Sequence, residues 1–299
     1  MNFKSLKKVV FGLMACIMLL CMSGVSVIQA NGVSADTYLK KMNKAFSKVK
    51  SYDVKYSFPM DMSLVVKVNE YEQKTDSVIT TKINQTVVNS PKLMAKTILT
   101  QTSKEGDTTV KNTEKIYLKT DSDDNVVAYA FLNDIKTPNK MMLSASDVSS
   151  LIKSADTSAL LNTKVVDKNY NLNGKKVIKL TAEVNCKNMT DLVKSLPSDT
   201  SDVEDNDKFI DDLLSNLENK TIKFTYYIDK KTYLPVKITS DLGSFLEEYM
   251  NSLFDSLNAS MSDDTVSVSS KVIMNKASTT MTFSGFNKTK TIKFPSSCK

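Results

Sequence analysis

Residues 51–68 read SYDVKYSFPMDMSLVVKV. Every even position is apolar (Tyr52, Val54, Tyr56, Phe58, Met60, Met62, Leu64, Val66, Val68), and every odd one except Pro59 and Val65 is polar or charged. Successive side chains of a strand point to opposite faces, so this pattern makes an extended chain oily on one side and wet on the other. The run is about three times as long as an average strand. Pro59 has no N–H for a ladder, so the stretch reads as a bent edge strand or as two strands joined by a kink.

Upstream, Asp36 is a candidate N-cap for TYLKKMNKAFSKVK, where Leu39, Met42, Phe46 and Val49 share one face; this predicts an amphipathic helix over 36–50. Downstream come SVITTKINQTVV, KLMAKTILTQT, TVKNTEKIYLKT and VVAYAFL, separated by short polar turns, the pattern of an antiparallel meander. Residues 147–155 form a candidate helix capped by Ser146. A hairpin follows, turning at Asn171-Leu172-Asn173-Gly174. Residues 189–196 and 209–219 read as helices flanking an acidic loop at 197–208. A second hairpin turns at Asp229-Lys230-Lys231-Thr232. The helix expected over 243–257 carries an apolar stripe through Phe245, Tyr249 and Leu253. Three β-like runs, TVSVSSKVIM, STTMTFSGF and KTIKFP, close the chain. No fixed repeat and no Pro/Gly-rich linker divides it, so one domain over 31–299 is the simpler reading.

The first 30 residues read as an export signal. MNFKSLKK is basic, Val9 to Ile28 carries no charge, and Ile28-Gln29-Ala30 and Val33-Ser34-Ala35 are small-residue cleavage patterns. Two alternatives stay open: lipid modification at Cys16, after Leu13-Met14-Ala15, and an uncleaved anchor. The chain is then secreted or held at the outer face of the cell membrane. Losing Lys4, Lys7 and Lys8 lowers the formal net charge from +7 to about +4. Every basic residue is a lysine, interspersed with acids, which argues against nucleic acid as a partner. There is no histidine, which removes the Ser-His and Cys-His nucleophile pairs and the commonest transition-metal ligand. Outside the cell, Cys186 and Cys298 read as a disulfide, with two separate thiols as the alternative.

The order of elements, with the phrases SKVKSYDVKY, GKKVIKL, YYIDKKTYLPVKI and GFNKTKTIKFP, resembles the LolA/LppX-like lipoprotein superfamily, in particular its Gram-positive secreted and lipoprotein members. The most specific phrase is IDKKTYLPVKI, Ile228 to Ile238. The resemblance implies an α+β fold: a strongly curved antiparallel sheet, an incomplete barrel, with helices packed on its concave face. It also implies a cavity between sheet and helices, since relatives of that fold carry lipid-modified proteins or hydrophobic lipids. This chain departs from the pattern in having no convincing lipobox and no arginine.

The candidate lining of such a cavity is Tyr52, Val54, Tyr56, Phe58, Met60, Met62 and Leu64, with Phe245, Tyr249 and Leu253 on the helical cover. Tyr, Phe and Met are adaptable residues suited to irregular apolar guests, although an ordinary core uses the same residues without a ligand. Asp121-Ser122-Asp123-Asp124-Asn125 begins like a calcium loop, but Val126 stands at the glycine position and Leu132 at the terminal glutamate position. No catalytic residue, metal site or cofactor is singled out, and the chain is not expected to be an enzyme. The expected ligand is a lipid, acyl chain or lipidated peptide, and a membrane surface is a further candidate partner; no protein partner is indicated. The alternative is a cell-envelope interaction or sensory ectodomain with a solid core.

Overall fold

The computed structural model describes residues 33–133, 137–143, 160–186, 220–261 and 267–298. The export signal, the expected helices at 147–155, 189–196 and 209–219, and the acidic loop lie outside the described residues. The remaining elements are α1 (Val33–Phe46), β1 (Ser51–Val68), β2 (Tyr71–Val88), β3 (Met94–Glu105), β4 (Thr108–Thr120), β5 (Val126–Leu132) and β6 (Asn139–Leu143). They continue with β7 (Leu160–Leu172), β8 (Lys175–Asn185), β9 (Thr221–Asp229), β10 (Pro235–Asp241), α2 (Gly243–Met261) and β11 (Val268–Ser284), and end in a 3-10 turn at Ser296–Cys298. The eleven strands form one open antiparallel sheet, in the order β6-β5-β4-β3-β2-β1-β11-β10-β9-β8-β7. The expected class, an antiparallel sheet with helices against it, is the class observed.

Two compact units divide the chain: Met1–Lys48 with Leu143–Val236, and Val49–Met142 with Lys237–Lys299. In the first, α1 lies against β7 and buries Leu39 and Met42. The helix starts before Asp36, which is therefore not its N-cap but a first-turn residue. Its carboxylate is buried and accepts a hydrogen bond from the Thr163 hydroxyl (3.3 Å). The β7–β8 hairpin closes through Asn173 and Gly174, both at positive φ (50° and 82°), as a two-residue turn between right-twisted strands requires. On β8 and β9, Val177, Ile178, Leu180, Ala182, Ile222, Phe224, Tyr226 and Ile228 are buried.

The IDKKTYLPVKI phrase is a turn built around one carboxylate. Asp229 Oδ1 accepts from the amides of Lys231 (2.9 Å) and Thr232 (2.8 Å) and from the Thr232 hydroxyl (3.0 Å). Its Oδ2 meets Lys175 Nζ at 2.6 Å. Tyr233 follows at φ 58°, and its amide returns to the Asp229 carbonyl (2.9 Å).

In the second unit β1 is one strand. It pairs with β2 without a slip from Ser51↔Val88 to Val68↔Tyr71, and with β11 along its other side. This corrects the expectation of an edge strand or a kink at Pro59. The ladder to β2 runs through Pro59↔Thr80, whereas the ladder to β11 passes from Ser57↔Thr280 to Met60↔Ala277, so the missing N–H falls where no ladder partner is demanded. The two runs expected at 265–274 and 278–286 merge into β11. Its one irregularity lies between Asp61↔Lys276 and Met62↔Met274, where Asn275 is the extra residue of a β-bulge.

The third closing run, KTIKFP, forms no strand. It crosses a face of the β2–β5 region, where Ile292, Phe294 and Cys298 pack with Val88, Met94, Tyr117, Val127, Tyr129 and Phe131. The Tyr117 and Phe294 rings lie 5.6 Å apart. Lys119 Nζ sits over the Tyr129 and Phe294 rings and donates to the Cys298 carbonyl (3.2 Å). Cys186 and Cys298 are both buried free thiols, so the expected disulfide is absent from the structure. Burial pushes the Cys186 thiol up to about 12.

The Asp229 turn generates a prediction. Burial alone raises a carboxyl pKa; Lys175 and the turn donors outweigh it and bring this one down to about 2. Because the folded pKa lies below the unfolded one, the contribution to stability is complete above the ordinary carboxylate pKa of about 4 and is lost as pH falls towards 2. Asp229→Asn is expected to cost roughly 1–3 kcal/mol at pH 7. Urea unfolding at pH 7 and pH 2.5 checks this: the gap between wild type and variant should narrow at the lower pH.

Candidate functional site

The even face of β1 is the floor of the candidate site. Tyr52, Val54, Tyr56, Phe58 and Met60 are buried, and residues paired directly opposite share their face. From β2 these are Val87, Ile83 and Ile79, opposite Tyr52, Tyr56 and Met60. From β11 they are Phe283, Met281 and Ala277, opposite Val54, Tyr56 and Met60. Burial pushes the Tyr52 phenol up to about 12.

Past Met60 the oily stripe continues on β1 but is less deeply covered there, although Val272 and Ser270 on the same face of β11 stay buried. Met62, Leu64 and Val66 are only half-buried, and Val68 and Tyr71 at the hairpin tip are 39% and 71% exposed. The bulge at Asn275 keeps β11 in phase with this stretch, setting Met274 opposite Met62, Val272 opposite Leu64 and Ser270 opposite Val66. On the reverse face the same stretch is mixed: Asp61, Ser63 and Lys67 share it with Val65, and with Val78 and Ile273, which pair with Asp61 and Ser63. Ser63 is buried and donates to Asp76 Oδ1 (2.6 Å), and Asn275 Nδ2 donates to Asp61 Oδ1 (3.1 Å). The Ser63 and Lys74 bonds hold the Asp76 carboxyl below its ordinary range.

Helix α2 stands beside this region in the place of a strand. β10 pairs with β11 only from Lys237↔Thr282 to Asp241↔Ser278. Leu242 N–H then bonds the Ala277 carbonyl (2.9 Å), and the chain turns into α2 while still running along the β11 edge. Side chains one helical face apart (i, i+4, i+11) satisfy that edge. Met274 N–H donates to Glu247 Oε2 (2.7 Å). Asn251 accepts from Val272 N–H (2.7 Å) and donates to its carbonyl (2.9 Å). Asn258 does the same for Ser270 (2.8 and 3.1 Å).

Elsewhere on α2, Leu246, Tyr249 and Met250 are buried and Phe245 is half-buried. The Phe245 and Tyr249 rings are nearly parallel (5°), with centroids 6.3 Å apart. The Tyr249 hydroxyl is buried with no hydrogen-bond partner among the described residues, as is the Thr279 hydroxyl on β11. The Leu253 side chain lies outside the described residues. All the other expected lining residues fall in this second unit, whereas α1, expected as part of the cover, lies against β7 in the first.

Sequence reading missed Glu247, Asn251 and Asn258. Their signal was a polar stripe of spacing four and seven within an amphipathic helix. Among the described residues no group of acidic or cysteine side chains is placed to hold a metal ion. Asp121 Oδ1 is engaged by the amides of Asp123 and Asn125 (both 2.9 Å), a turn and not a calcium loop. Among the described helices, none is long and apolar enough to cross a membrane.

The profile of a family of unknown function, DUF6612, matches residues 34–299. The chain belongs to the DUF6612 family. No curated protein matches it. Two solved structures are similar to this DUF6612 member at low identity. One is a DUF1329 family protein from Desulfovibrio piger: 9% identity, 87% of this chain and 94% of that chain covered, TM-score 0.25. The other is a putative outer membrane lipoprotein-sorting protein domain from Vibrio parahaemolyticus: 10% identity, 86% and 95% covered, TM-score 0.26. Likenesses at those scores carry no argument about what the DUF6612 chain does.

The helix-to-edge ladder is testable. Val272 is fully buried, so Asn251→Ala strips partners from its N–H and its carbonyl together. A loss of about 2–4 kcal/mol is expected, at roughly 1–3 kcal/mol per orphaned group. Urea denaturation measures the loss, and faster amide exchange at Val272 localises it.

Proposed function

We propose that this chain is a non-enzymatic, secreted or cell-surface protein that binds or carries a hydrophobic ligand: a lipid, an acyl chain or a lipidated peptide. One observation carries the reading. The apolar stripe of β1 runs past the end of its buried stretch and presents Met62, Leu64 and Val66 half-exposed, beside Met274, in direct continuity with the buried floor. A folded chain that needs only a core ends its oily face where its cover ends, because water-facing apolar area contributes nothing to stability. Here the stripe leads from solvent into the interior. Met62 and Met274 stand where floor and open stretch meet, and unbranched thioethers adapt to guests of irregular outline.

The mechanism is solvent exclusion. An alkyl chain laid along the stripe leaves water, at about 0.8 kcal/mol per buried methylene. A chain of roughly ten methylenes offers about 8 kcal/mol of gross transfer before ordering costs are subtracted.

Two measurements test this. Mass spectrometry of organic extracts of the natively purified protein should show co-purifying lipid. Leu64→Lys, at a half-buried position opposite Val272, should lower the unfolding midpoint but leave the chain folded, and should weaken binding of an apolar dye at least tenfold. A clean extract, together with dye binding indifferent to Leu64→Lys, would mean that the face serves a protein partner or nothing.

A further inference from the structure

Lysine is sorted onto one face of the sheet in the second unit. Alternate residues of a strand point to opposite faces and paired residues to the same face, so the ladders assign each paired residue of β1, β2, β3, β4 and β11 to a side. Every lysine of these five strands falls on the face opposite the oily stripe, and the stripe's own face carries none. One row across the strands runs Lys104, Val78, Asp61, Lys276, and another runs Lys74, Val65, Lys271. The acids on this face are Asp53, Asp61, Glu72 and Asp76, against eleven lysines, whereas the whole chain has 40 basic residues to 33 acidic. Three of those acids are already engaged, Asp53 by Thr86, Asp61 by Asn275, and Asp76 by Ser63 and Lys74. The closing segment, which covers part of the same face near β4 and β5, is basic in its turn. Lys288, Lys290 and Lys293 are exposed on it, and residues 285–299 contain no acid. A face that needs only water is served as well by acids, hydroxyls and amides, and charges of one sign gathered on it repel one another.

We propose that this lysine face docks on the surface of a bilayer containing anionic lipid. The proposal concerns the side of the sheet away from the stripe and does not depend on the hydrophobic-ligand reading. Charge complementarity sets the sign of the partner, and the spread of lysine over five neighbouring strands matches a planar array of head groups better than one linear polyanion. The apolar residues within the lysine field decide for lipid. Val78 and Ile273 are 41% and 39% exposed, on the same face as Lys104, Lys271 and Lys276. A soluble polyanion offers such side chains nothing, whereas the boundary between head groups and acyl chains takes up apolar side chains and the alkyl stems of lysine together. Lys55, Lys82, Lys104, Lys111, Lys271 and Lys276 are all exposed. Each lysine brought near an anionic membrane strengthens binding about fivefold.

The test is sedimentation of the exported protein with vesicles of two parts phosphatidylcholine to one part phosphatidylglycerol, and with vesicles of phosphatidylcholine alone. Wild type should bind the first far more tightly than the second, and added salt should release it. Lys271→Gln with Lys276→Gln should weaken binding about twentyfold, at roughly fivefold for each charge. Lys168→Gln with Lys176→Gln, at exposed positions in the first unit, removes the same net charge and should change binding less than about twofold. Ile273→Ser should weaken binding to the mixed vesicles and leave binding to soluble polyphosphate unchanged. Equal binding to the two vesicle types overturns the proposal, as does an equal loss in the Lys168 and Lys176 pair, which would make attraction a matter of net charge. Binding to polyphosphate as tight as to the mixed vesicles, with both indifferent to Ile273→Ser, overturns it too, because the partner would then be a soluble polyanion. None of these outcomes bears on whether lipid co-purifies with the protein.

Discussion

The second unit depends on β1 holding one pleat phase over its whole length against two neighbours at once. A slip of one residue would turn Tyr52, Val54, Tyr56, Phe58 and Met60 to the opposite face and bring Asp53, Lys55 and Asp61 inward. The match to β2 is continuous, so register there is fixed by a turn at Asn69 and by the apolar pattern alone. On the other side the two sequences do not stay in phase by themselves. In β11 the buried residues are odd from Ala277 to Phe283 and even at Ser270 and Val272. One inserted residue, Asn275, reconciles them; were it paired in regular register instead of bulged out, Asn275 and Lys271 would face the oily side. The inserted side chain is itself engaged, bonding Asp61 on the polar face. The bulge is thus what allows a stripe of nine apolar residues on one strand to meet apolar neighbours on another whose own alternation is broken.

A second constraint follows from the mismatch in strand lengths. β10 is far shorter than β11, so part of the β11 edge would present bare amides and carbonyls, the usual invitation to association with another chain. Helix α2 removes that edge with side chains. A primary amide carries a donor and an acceptor on separate atoms, so it can donate to a carbonyl and accept from an N–H at the same residue, and Asn251 and Asn258 each do both. The same helix brings Phe245 and Tyr249 into place as a consequence of being fastened there.

Much of this was legible in the sequence because periodicity survives without tertiary information. The β1 stripe, the Asn173-Gly174 turn, the VVAYAFL strand with apolar residues on both faces, and the stripe of α2 each announce themselves within a few residues. The errors share one physical origin. Pro59 reads as an edge signal unless the strand on its amide side is known to leave a gap. The bulge at Asn275 reads as a boundary between two strands, since a phase change and a turn look alike along a single chain. KTIKFP alternates like a strand, yet its alternation serves packing of Ile292 and Phe294 onto a sheet face. The site was half legible: the apolar floor follows from the pleat, whereas the ladder of Glu247, Asn251 and Asn258 depends on which strand edge is left bare, a fact of pairing that no local pattern holds.

The two faces of the second unit show why the open stretch of β1 differs from spare core. Around β4 and β5 the sheet is apolar on both sides, since Tyr117, Val127, Tyr129 and Phe131 oppose Val126 and its alternating neighbours. The chain closes one of these faces with its own last residues, fixed by the Lys119 bond to the Cys298 carbonyl. Covering a sheet face with an irregular segment leaves that segment's backbone groups to find partners outside any ladder, a cost offset here by burial of Ile292 and Cys298 and partial burial of Phe294. The same chain leaves Met62, Leu64 and Val66 half-buried, with Ser63 and Asp76 bonded on the face behind them. On the proposed function, that half-buried stripe is the side left for a separate apolar molecule.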